Sequence, residues 1–126
     1  MAKLAKLEHD EPVRLDPDSV EALYLELGPV GAENVVCRAM EELALRLSGL
    51  PNLHRAGEWE KLSRVARSMV AISRQVGLTG FAGVAEDVSI CATQSDPIAL
   101  GATLSRLERI GERSLTAVWD LQDPPI

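Results

Sequence analysis

Residues 59–77 read WEKLSRVARSMVAISRQVG, and their spacing decides the architecture. Trp59, Leu62, Val65, Ala66, Met69, Ile72, Ser73 and Val76 share one face when successive residues turn by about 100°. The pattern predicts a helix over 57–76 whose apolar side needs partners. Gly77 follows it and suits the left-handed conformation that ends helices.

The flanking segments repeat this pattern. Val36, Ala39, Met40, Leu43 and Leu47 fall at spacings of three and four and predict a helix over 32–47. Ser48-Gly49 and Pro51-Asn52 predict the connection after it. Downstream, Phe81, Val84, Ala85, Val88 and Cys91 define an inward stripe over 79–93. Asp96-Pro97 reads as a cap and a first-turn proline. Leu100, Leu104, Leu107, Ser114, Val118 and Leu121 form the stripe of a last helix over 97–121. Upstream, Asp18 or Ser19 would cap a short helix reaching Leu27, stopped by Gly28-Pro29.

Residues 1–17 mix both charges and contain Pro12 and Pro17, so a flexible arm is expected there. Pro124-Pro125 closes the chain in a tail over 123–126. No stretch alternates with period two, so no strand is expected. Short loops between amphipathic helices imply antiparallel neighbours. The expected fold is all-α: one domain over 18–122, an up-and-down antiparallel four-helix bundle with a short additional N-terminal helix.

With 126 residues the chain suits a single domain. Its four aromatic residues are Tyr24, Trp59, Phe81 and Trp119, so an aliphatic core is expected. The net charge of −6 argues against general nucleic-acid binding, which needs a basic footprint. No apolar run is long enough for a membrane span, and residues 1–14 lack the apolar core of a secretory signal. Cys37 and Cys91 lie within apolar helical patterns and read as buried reduced thiols, so a cytoplasmic location is expected.

Enzyme signatures are sparse. His9 falls in the arm and His54 in an expected loop, neither with metal-ligand spacing. Gly77, Gly80 and Gly83 follow no strand, so they read as helix-boundary glycines and not as a phosphate loop. Glu41-Glu42 and Glu86-Asp87 read as solvated helix faces. No catalytic residue, metal or cofactor is expected.

One segment opposes the acidic average. Arg55, Lys61, Arg64, Arg67 and Arg74 against Glu58 and Glu60 make residues 55–77 +3, leaving −9 for the rest. Arg67 projects nearly opposite the core stripe, with Arg64, Ser68, Ala71, Arg74 and Gln75 around it. Ala71, one turn from Arg67, admits a partner close to the backbone. That face reads as either a solvated surface or a docking surface for something acidic.

The stretch from His54 to Gly77 resembles the histidine phosphotransfer (HPt) domain of bacterial phosphorelays. That family carries a small-residue, acidic, Trp opening, then A-H-x-L-K-G, then a glycine ten residues after the histidine. Gly57-Glu58-Trp59, Ala66, Met69 and Gly77 match in register, and Phe81-Ala82-x-Val84-Ala85 is similar to the L-A-x-L-C of the next family helix. The similarity covers 24–115 and implies an antiparallel helical bundle. Arg67 stands at the phosphoacceptor position, Val70 at the family lysine and Ala71 at the family glycine. A guanidinium stays protonated and cannot replace the imidazole nucleophile. The resemblance therefore implies a degenerate member without phosphotransfer. Its expected role is to bind a response-regulator receiver domain or a histidine kinase through Arg64, Arg67, Ser68, Ala71, Arg74 and Gln75, modulating two-component signalling.

Two alternatives stand beside it. Leu23, Tyr24, Leu25 and Leu27 put apolar residues on more than one side of the first helix, which suits a bundle that dimerises or assembles. The other keeps phosphotransfer, with His54 as an unorthodox acceptor just before the helix.

Overall fold

The apolar stripes wind into helix α1 over Pro17–Arg55, α2 over Trp59–Gln75, α3 over Thr79–Thr93 and α4 over Pro97–Gln122. A computed structural model describes residues 16–122, with side chains to Leu115. The expected tail over 123–126, the arm up to residue 15, and the side chains of Val118 and Leu121 lie outside the described residues. Among the described residues there is no strand. Each helix packs on the next, and α4 packs back on α1, closing an all-α four-helix bundle.

The start of α1 differs from expectation. Asp16, not Asp18 or Ser19, is its cap: one carboxylate oxygen accepts from the Asp18 N–H at 3.1 Å and the other from the Ser19 hydroxyl at 2.7 Å. Pro17 is the first helical residue, where its missing N–H costs nothing. The helix breaks at Gly28, with φ 74° and ψ 171°, and resumes at Pro29. The expected interruption between the short first helix and the second is thus present, reduced to one glycine. Residues 17–27, before this break, form the limb of α1.

No connection forms at Ser48-Gly49 or Pro51-Asn52; α1 runs on to Arg55, and His54 lies in its last turn. Glycine and proline inside a helix cost about 1 and 3 kcal/mol. Opposing them, Leu50 is wholly buried and Leu47 and Leu53 pack on the core. Burying an aliphatic side chain completely contributes about 1.5–3 kcal/mol, so the continued stripe holds the helix together.

Three turns of one design separate the helices. After α1, Gly57 N–H donates to the His54 carbonyl and Glu58 N–H to that of Leu53; after α2, Gly77 bonds Arg74 and Leu78 bonds Ser73; after α3, Ser95 bonds Ala92 and Asp96 bonds Cys91. Each pair satisfies carbonyls that the helix end would otherwise leave open. The residue entering each turn has positive φ: 71° at Gly57, 78° at Gly77 and 55° at Ser95. Gly57 therefore ends α1 and does not begin α2. Asp96 opens α4, its carboxylate accepting from the Ala99 N–H at 3.1 Å.

Leu43, Leu50, Leu62, Met69, Leu78, Phe81, Leu100 and Leu107 fill the core. The α2 stripe holds, with Trp59, Val65 and Ile72 at its half-buried edges. Ser63 and Val70 are buried as well. Because α2 touches α1 on one flank and α3 on the other, its buried arc is wider than one stripe. The same holds for α3, where Ala82, Ser89 and Ala92 are buried. Cys37 and Cys91 are half-buried and not buried as expected, because each lies at the edge of its helix's inward arc.

Candidate functional site

With α2 held on two flanks, one side remains for solvent. Arg64, Arg67, Ala71, Arg74 and Gln75 are exposed along it, and Ser68 is half-buried. The six residues singled out from the sequence therefore share one surface. They are not equivalent. The Ser68 hydroxyl donates to the Val65 carbonyl at 2.6 Å and is turned into its own helix. Arg74 reaches α3, its Nη2 lying 3.0 Å from Glu86 Oε2. Both side chains are more than half exposed, so this pair contributes little to stability. Arg64 and Arg67 have no acidic partner among the described residues.

The floor beneath this face is hydroxyl-lined. Ser63 Oγ lies 2.9 Å from Ser89 Oγ and 3.0 Å from Thr93 Oγ1, and Ser89 Oγ donates to the Ser63 carbonyl at 3.2 Å. Small side chains here bring α2 and α3 together, and mutual hydrogen bonds satisfy the buried hydroxyls.

Two grooves flank Arg67 along the α2–α3 seam. One, of about 450 Å³, is lined by Arg67, Val70, Arg74, Glu86, Ile90 and Thr93 among others. The other, of about 490 Å³, adjoins Trp59, Ser63, Arg64, Arg67, Thr93 and Ser95. Arg67 thus projects where both meet. The arrangement can accept an acidic or phosphorylated group by charge-assisted hydrogen bonding, beside apolar surface from Val70 and the 46% exposed Ile90.

Sequence reading missed the α3 wall of this site. Glu86 and Asp87 are wetted as expected, yet each pairs with an arginine, Arg74 and Arg106 respectively. Ile90, outside the inward stripe of α3, was the available signal. His54 is half-buried in the last turn of α1 and not on α2, and His9 lies outside the described residues.

Among the described residues, no group of three or more His, Cys, Asp or Glu could hold a metal ion, and no helix is long and apolar enough to cross a membrane. Compared with known proteins, the chain matches no family model, no curated protein and no solved structure.

Proposed function

We propose that this bundle is a degenerate HPt-like domain that binds a receiver domain or a histidine kinase through the outer face of α2, modulating a bacterial phosphorelay without carrying phosphate. The observation that carries this reading is Arg67: exposed, without an acidic partner among the described residues, and standing where the resembled family places its histidine. A fixed cation there suits the acidic phosphorylation pocket of a receiver, or its phosphoaspartate, by complementary charge. Ala71 one turn on leaves the backbone approachable.

A pull-down from the source cell's lysate, comparing wild type with Arg67→Glu, tests it. Recovery of a receiver or kinase by wild type alone is the expected result. Equal recovery by both forms removes the mechanism. Incubation with a phosphorylated receiver, followed by a search for acid-labile phosphate on His54, separates binding from phosphotransfer; no label is expected.

An assembly role is the second reading, favoured by Leu25 and Val30, which are 80% and 73% exposed on α1.

A further inference from the structure

The limb of α1 and the outer face of α2 are complementary surfaces on the same chain. Residues 17–31 carry Asp18, Glu21 and Glu26 and no basic residue. All three carboxylates are exposed and none has a basic partner among the described residues. Val20 and Leu23 turn inward, so Asp18, Glu21 and Leu25 form the outward ridge of this limb at spacings of three and four. On α2, Arg64, Arg67 and Ala71 form an outward ridge at the same spacings.

We propose that the limb of one copy docks on the α2 face of a second copy. Laid parallel, the ridges place Asp18 against Arg64, Glu21 against Arg67 and Leu25 over Ala71, with Ile90 of the neighbouring groove beside the apolar contact. Each acid meets an arginine that lacks an acidic partner among the described residues, and the most exposed apolar side chain of the limb meets the smallest of the face. Leu25, 80% exposed in the single chain, then leaves water.

Charge decides between this pairing and the symmetrical one. Two limbs packed on each other would bring six carboxylates together with no base between them, and like charges in contact are destabilising. A chain cannot fill its own face either. The limb sits on the α1 side, and among the described residues the α1 backbone does not come close to that of α3, which walls the seam beside Arg67. The contact joins unlike surfaces, so it builds a ring or a short chain of copies. It stands whether or not a receiver uses the same face.

Sedimentation equilibrium of the full chain tests the pairing with Glu21→Arg, Arg67→Glu and the two combined. Both side chains are exposed, so the fold should survive; circular dichroism and melting check this, and Asp18→Arg with Arg64→Glu is an independent second set. Wild type should rise above its 13.6 kDa monomer mass with concentration, and less so at high salt. Either single reversal should weaken association about tenfold or more, and the double reversal should recover most of the loss. A wild type that stays monomeric to about 1 mM, a Kd of the weakest order for a specific contact, overturns the proposal. So does association that survives Arg67→Glu, which would mean apolar limb-on-limb pairing. Failure of both double reversals to restore association overturns it as well.

Discussion

The main-chain N–H of Asp16 donates to the carbonyl oxygen of Gly77 across 2.7 Å, fastening the start of α1 to the turn between α2 and α3. Elements some sixty residues apart are thereby held at one end of the bundle. The same residue caps α1 with its side chain and docks it with its backbone.

Gly77→Ala should loosen this corner. Gly77 has φ 78°, and a Cβ there would sit 2.9 Å from the Asp16 carbonyl oxygen. Left-handed strain of about 1–2 kcal/mol adds to a backbone clash that only a shift of α1 relieves. A loss of about 2–3 kcal/mol in urea unfolding is expected, with increased protease sensitivity near residue 16.

The Asp16 cap also makes stability pH-dependent. The Ser19 hydroxyl, then the Asp18 N–H, hold its carboxylate below the ordinary value of 3.8. A carboxyl depressed in the folded state contributes stability that is present above its unfolded value and lost as pH falls through the folded one. Acid titration of the melting temperature should therefore fall less steeply below about pH 4 in Asp16→Asn, which still caps but does not titrate.

Ser95 should be improvable. It holds φ 55° in a turn whose two counterparts carry glycine. Ser95→Gly relieves the left-handed strain and should stabilise the chain by about 0.5–1 kcal/mol, read as a higher urea midpoint at unchanged slope.

Two helical glycines should respond to alanine with opposite signs. A Cβ at Gly83 in α3 meets nothing within 4 Å, so Gly83→Ala should gain about 1 kcal/mol of helix propensity. At Gly111 in α4 it would lie 2.7 Å from Leu47 Cδ2 and 3.0 Å from Phe81 Cε2. Phe81 is fully buried and has nowhere to move, so Gly111→Ala should lose about 1–2 kcal/mol net, measured in the same unfolding series.

Arg67→Glu should leave stability within about 0.5 kcal/mol of wild type, because the side chain is exposed and makes no ion pair among the described residues. Arg74→Glu breaks the exposed pair with Glu86 and should cost no more than about 1 kcal/mol. Thermal melts of both variants separate any loss of binding from loss of fold.

Helix order and the identity of the outer α2 face were legible in the sequence, although the first two of the five expected helices are one helix broken at Gly28. Apolar spacing in α2, α3 and α4 sets which side must leave water, and that choice depends only on local periodicity. Arg64, Arg67, Ala71 and Arg74 follow as the remainder. Other features were settled by contacts between distant residues. Continuation of α1 through Gly49 and Pro51 rests on the burial of Leu50 against other helices, which outweighs local propensity. The burial of Ser63 and Ser89 rests on the α2–α3 approach, where each hydroxyl finds the other. The α3 wall of the grooves and the Arg74–Glu86 pair depend on which helices are neighbours. Periodicity along one helix selects its inner and outer sides. The partners each side meets are fixed only when four helices share one core.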